Sequence, residues 1–181
     1  GATFVVSAFE STSDRVLAQL DKGHTLADMA AALAVLRRAG LHPQPTWMPF
    51  TPWTTLDDYL HLLSWIRAQG LIAHVPAVQL SIRLLIPPDS ALLATNAGAA
   101  WLGELDAPNF GYTWTHPDER MDRLQRRVAG LAEAASDDDP YTAFAQVEAA
   151  AYALAGIAPP PPLLAPAGAV APPRLSEHWF C

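Results

Sequence analysis

The stretch Thr46-Trp-Met-Pro-Phe-Thr-Pro-Trp-Thr-Thr55 decides how the chain is read, because it joins the end of a strand to the start of a helix. In parallel α/β folds that junction is where chemistry is placed. Pro49 and Pro52 stiffen the turn, Trp47 and Trp53 line it with aromatic surface, and Thr55 with Asp58 forms a capping pair that opens the following helix.

Working outward, the same pattern recurs. Thr25-Leu-Ala-Asp28 closing at Gly40-Leu41 repeats as Thr55-Leu-Asp-Asp58 closing at Gly70-Leu71. Both helices open on Thr and close on Gly, and the thirty-residue offset is the size of one strand-plus-helix unit. The first helix carries a stripe of Leu26, Met29, Leu33 and Leu36. Before it, Thr3 to Phe9 is an almost unbroken apolar run ending at Glu10-Ser-Thr-Ser-Asp14, the pattern of a strand buried on both faces. Ser13 or Thr12 caps a short helix through Val16, Leu17 and Leu20 that Lys22-Gly23 ends. A third strand is expected over Val78 to Ile86, where Val78, Leu80, Ile82, Leu84 and Ile86 alternate with Gln79, Ser81, Arg83 and Leu85. Pro87-Pro88 stops it.

From Ala91 to Thr115 periodicity is lost, and a long, partly ordered loop is expected. Helix resumes near Pro117 with Met121, Leu124, Val128 and Leu131 on one side. Arg120, Arg123, Arg126 and Arg127 read as a solvated face, balanced by Asp118, Glu119, Asp122 and Asp137 to Asp139. An alanine-rich helix follows from Tyr141 to Ala155. Pro159 to Pro173 reads as an extended Pro/Ala linker before the aromatic tail Arg174-Leu-Ser-Glu-His-Trp-Phe-Cys181.

Composition bounds the function. With 181 residues, 51% of them hydrophobic and 16% charged, the chain can bury a sizeable core. A net charge of −7 with 11 Lys and Arg argues against a nucleic-acid face and a basic membrane patch. No run approaches the roughly 18 apolar residues of a transmembrane helix, and no signal segment opens the chain, so a cytoplasmic location is expected. Cys181 is the one cysteine, which leaves no internal disulfide and no cysteine cluster for zinc or iron–sulfur. The six histidines, His24, His42, His61, His74, His116 and His178, show no metal-ligand spacing. The start at Gly1 directly on an apolar run, without Met, suggests a fragment.

The segment Ser7-Ala-Phe-Glu-Ser-Thr-Ser-Asp-Arg-Val-Leu-Ala-Gln-Leu-Asp-Lys-Gly-His-Thr25 resembles the part of radical S-adenosylmethionine (SAM) enzymes that runs from strand four into its helix, written E-S-G-S-D-x-x-L…K-G-x-T. The order of elements to Leu93 continues as in that family. The resemblance implies the C-terminal half of a partial (β/α)6 TIM-like barrel over 1–93 (strands four to six), a loop and helical extension over 94–157, and a Pro-rich tail over 158–181. Leu175 to Cys181 is similar to the end of the members named for a CUAEP or CCAEP tail, which implies a selenocysteine or second cysteine after Cys181. The family's C-x-x-x-C-x-x-C, which holds a [4Fe–4S] cluster, is absent here. At the strand-five turn, Phe50-Thr-Pro-Trp-Thr54 stands where many relatives are Gly-rich.

By resemblance, the parent enzyme reductively cleaves SAM at its cluster to a 5′-deoxyadenosyl radical that acts on an unknown small molecule or peptide. Its partners are the missing N-terminal half-barrel and an electron donor. The resemblance assigns Glu10, Ser11, Lys22 and Phe50 to SAM. A lumen-facing Gln79 and Arg83, with Trp53, would hold substrate, and Cys181 would belong to a redox pair in the tail. Ordinary explanations stand beside these: a helix-entry carboxylate at Glu10, Lys22 facing a helix dipole, an internal ion pair at Arg83, loop packing for Phe50 and Trp53. The rival is a non-catalytic α/β binding module with a docking tail.

Overall fold

The computed structural model describes residues 1–135, 139–168 and 170–173. Strand β1 (Phe4–Glu10) leads through α1 (Asp14–Gln19) to α2 (Leu26–Arg38), then β2 (His42–Trp47) and α3 (Leu56–Ala68). β1 and β2 pair in parallel, from Phe4 opposite His42 to Ala8 opposite Thr46. The expected capping pairs are both formed. The Thr25 hydroxyl accepts from the Asp28 N–H while the Asp28 carboxylate accepts from the Thr25 N–H, and Thr55 with Asp58 repeats the arrangement. Gly40 and Gly70, at φ +67° and +63°, turn the chain out of each helix where a side chain would be strained.

Phe9 and Trp47 project from one face of the sheet into a core with Met29 and Leu33 of α2 and Tyr59, Leu63 and Ile66 of α3. Each such fully buried side chain contributes on the order of 1.5–3 kcal/mol. The other face is open. Val6 is 50% exposed and Ala8 is exposed, so β1 is not buried on both faces as its apolar run suggested.

The third strand forms only in part. Ala77–Leu80 is a 3₁₀ turn, and what remains of the strand is a parallel bridge between Phe50 and Arg83. In that bridge the Phe50 N–H donates to Ile82 and the Leu84 N–H to Phe50. The reason lies in β2. His42 donates to Thr3 and Met48 to Glu10, so the even residues of β2 face β1 and the odd residues face the third segment. Two of those odd residues, Pro43 and Pro45, have no N–H, and the third, Trp47, donates to the Gln79 side chain at 2.9 Å. A strand over 78–81 would find one N–H on this edge, that of Trp47, and the Gln79 side chain takes it.

The expected loop over 91–115 is also corrected. It holds a short helix α4 (Ala91–Thr95) and an antiparallel hairpin, β3 (Leu102–Asp106) and β4 (Gly111–Trp114). Tyr112 donates to the Ile86 carbonyl, which ties the hairpin to the third segment. Leu84, Ile86 and Trp114 form a second cluster with Leu20, Met48, Trp53, Trp101 and others. Aromatic spacing without periodicity concealed this hairpin.

Helices α5 (Glu119–Ala134) and α6 (Pro140–Ala155) lie where the pattern placed them, and Met121, Leu124, Val128, Phe144 and Val147 join the main core. Arg67 of α3 is clamped to Glu148 of α6 through Nε and Nη2, at 3.1 and 2.6 Å, with Glu148 almost wholly buried. Arg120 pairs with Asp118 and Arg123 with Glu119 at the surface, as a solvated face requires. Among the described residues no helix is long and apolar enough to cross a membrane.

Candidate functional site

The polar segment at the C-terminal end of β1 is buried where a solvated loop would be expected. Glu10, Ser11 and Thr12 are all less than 9% exposed. Glu10 carries φ +64°, and the Ser11 N–H donates to the Phe9 carbonyl at 2.8 Å, so the chain makes a three-residue turn with Glu10 at its centre. A non-glycine residue in this conformation costs free energy and persists where its surroundings hold it. Here the Glu10 carbonyl accepts from Met48, its Oε1 accepts from Lys22 Nζ at 2.9 Å, and the His24 ring lies between the carbonyls of Phe9 and Lys22.

Three predicted residues thus come together. Glu10 and Lys22 form one ion pair, and Ser11 beside them accepts from the Ser13 N–H, which leaves its own O–H free to donate. The pairing makes Lys22 a neutraliser of Glu10.

The second layer is the Phe50–Thr54 loop. Arg15 reaches from α1 to the Trp53 carbonyl and to Asp58, both at 2.8 Å. Thr51 and Thr54 share a hydroxyl hydrogen bond at 2.8 Å, and Thr12 meets the His61 Nδ1 at 3.1 Å. Burial alone would raise the Asp58 carboxyl, but hydrogen bonds from Thr55 and Ser13 and the Arg15 charge outweigh it and hold the group below the usual range. His116 Nδ1 accepts from the Asp118 N–H, which makes Nε2 the donor to the Thr54 carbonyl at 2.9 Å.

The remaining predicted residues lie apart from Glu10 in their bonding. The Phe50 ring is buried against Tyr59, centroids 4.9 Å apart, and Trp53 packs edge to face on Trp101 at 5.7 Å. Gln79 is buried and engaged with Trp47. Arg83 donates to Asp122 and to the Trp114 carbonyl, both at 2.6 Å, and its guanidinium lies 3.4 Å from the Trp114 ring centroid. Cys181 lies outside the described residues. Sequence reasoning missed Thr12, His61, Thr51, Thr54 and Asp122, which are joined only by tertiary contact. The one signal available was the hydroxyl density of Ser11-Thr-Ser13 and Thr51…Thr55.

An open depression of about 200 Å³ lies beside the edge of β1, lined in part by Ser7, Phe9, His24 and Met29. Among the described residues no group of three His, Cys, Asp or Glu side chains could hold a metal ion. No family model matches this chain. Comparison with curated proteins and with solved structures also finds no match.

Proposed function

We propose that the chain is the SAM-facing half of a radical SAM barrel, with Glu10 and Ser11 as its contact to the amino acid or ribose end of SAM. The observation that supports this is the buried, left-handed Glu10 at the C-terminal end of β1, with Lys22 on one carboxylate oxygen. A carboxylate and a hydroxyl free to donate suit the ammonium and hydroxyl groups of such a ligand. If SAM were bound to a cluster held by the rest of the parent protein, the cofactor would supply the radical chemistry, and Glu10 and Ser11 would hold and orient its polar end.

A [4Fe–4S] cluster does not fit the donors of this chain. It requires three thiolates, Cys181 is the single cysteine, and the described residues bring no alternative set together. Its ligands would belong to the other half of the parent protein.

The test is to sequence the transcript on both sides of this frame and express the whole frame anaerobically, reading 5′-deoxyadenosine formation. An upstream C-x-x-x-C-x-x-C is expected. Glu10→Gln should raise the KM for SAM by roughly tenfold to a hundredfold, the equivalent of about 1.5–3 kcal/mol for a hydrogen bond to a charged group. A start codon directly before Gly1, or full SAM affinity in Glu10→Gln, overturns the reading. The rival, a non-catalytic binding module, draws on a separate observation: Phe50, Gln79 and Arg83 are all engaged within the protein.

A further inference from the structure

A cavity of about 290 Å³ lies at the opposite end of the parallel pair from Glu10, between the ends of α2 and α3. Arg37 in the last turn of α2, His42 at the start of β2 and His74 in the turn after α3 line it, together with Gln69. The two imidazole rings stack with centroids 5.8 Å apart. Its size is at the small end of ligand sites, which run from roughly 300 to 1,000 Å³.

These three groups have no counter-charge, although the chain carries a net charge of −7. None of the ion pairs among the described residues includes them. Arg37 donates from Nη1 to Gln69 Oε1 at 3.2 Å and from Nη2 to the Gln69 carbonyl at 2.5 Å, both neutral acceptors. Its charge is therefore unspent, and a guanidinium has further N–H donors to offer. Burial, then the like charges of His42 and Arg37, lower the His74 pKa against a hydrogen bond to Pro43, and no carboxylate offsets them. His74 Nδ1 is buried without a partner among the described residues. A protonated ring would hold a donor there that the protein leaves unsatisfied. Helix capping does not account for the imidazoles. The carbonyls of Leu36 and Arg37 already accept from Leu41 and Gly40, and those of Ile66 and Arg67 from Leu71 and Gly70.

We propose that this cavity binds a small tetrahedral oxyanion, a phosphate or phosphate monoester, held by Arg37, His42 and His74. Donors from three separate elements match the three free oxygens of such a group, where a carboxylate offers two. A metal cation is disfavoured, because Arg37 lines the same cavity and no carboxylate does. The anion supplies the missing counter-charge and favours the protonated form of His74, so affinity rises as pH falls. This site does not depend on the proposed enzymatic reading.

The test is a titration of the isotope-labelled full chain with sodium sulfate at constant ionic strength, read on the histidine ring signals. Sulfate keeps both negative charges across the range used. We expect the His42 and His74 signals to shift and saturate, with binding about tenfold tighter near pH 6 than near pH 8. His74 should titrate at higher pH when the anion is present. Arg37 and His42 are exposed, so Arg37→Gln and His42→Gln should leave the backbone spectrum intact while weakening sulfate by about tenfold or more. Inorganic phosphate and glycerol 3-phosphate are then compared. Tighter binding of the ester supports a phosphorylated small molecule as the occupant, and tighter binding of the inorganic ion supports free phosphate. Two results overturn the proposal: a shift that does not saturate and that chloride reproduces, or saturable binding that both variants leave unchanged.

Discussion

The two capped units, Thr25–Gly40 and Thr55–Gly70, behave as copies of one design, whereas Val78–Ile86, with the cleanest alternation in the chain, becomes a turn and a single bridge. The capping box is satisfied within four residues, so its outcome is settled locally. A strand is satisfied only by the donors of its neighbour, and β2 offers Pro43 and Pro45 where the third strand needed N–H groups. Local rules therefore held where the hydrogen bonds were local, and alternation failed where they were borrowed.

The comparison is broken hardest at the Arg67–Glu148 clamp, which binds the second unit to α6 and not to a strand. Arg67→Leu leaves Glu148 buried and unpaired, and urea unfolding should show a loss of about 3–5 kcal/mol. The double variant Arg67→Leu/Glu148→Leu should recover most of it. Equal losses in both variants would mean that side-chain packing, and not the charge, is what the site needs.

Next is the side chain that replaces a strand. Gln79→Leu strands the buried Trp47 N–H and should cost about 1–3 kcal/mol. Chemical denaturation midpoints of the wild type and Gln79→Leu decide it. Should Gln79→Leu be neutral, the account of β2's missing donors is wrong.

The likeness of the two units is sharpened by Thr25→Ala and Thr55→Ala. Each removes one N-cap and should cost about 1 kcal/mol by thermal or urea unfolding. Unequal values would show that α3, with six buried residues against two in α2, leans on packing more than on its cap.

The smallest effect is a slope. At the loop that closes the second unit, burial, with His42 stacked 5.8 Å away and the Arg37 charge, lowers the His74 pKa despite a hydrogen bond to Pro43. A lowered histidine pKa means the folded state favours the neutral ring. Its contribution is fully present above the unfolded value of about 6.5 and is lost as pH falls through the folded value. Stability measured from pH 7 downward should therefore drop, and His74→Phe should flatten that part of the curve.

Sequence alone determined the parallel pair with its helices, both caps, and the helices from Glu119 and Pro140. These rest on periodicity, caps and positions close along the chain, which a sequence states directly. Tertiary structure alone decided the left-handed turn at Glu10, the hairpin that Tyr112 ties to Ile86, the capture of Arg83 by Asp122 and Trp114, and the return of Pro173 to Gln44. Each joins groups far apart in the chain through donors and acceptors that any of several partners could have satisfied. Which partner wins is set by the packing around it, and that information exists only once the chain has folded.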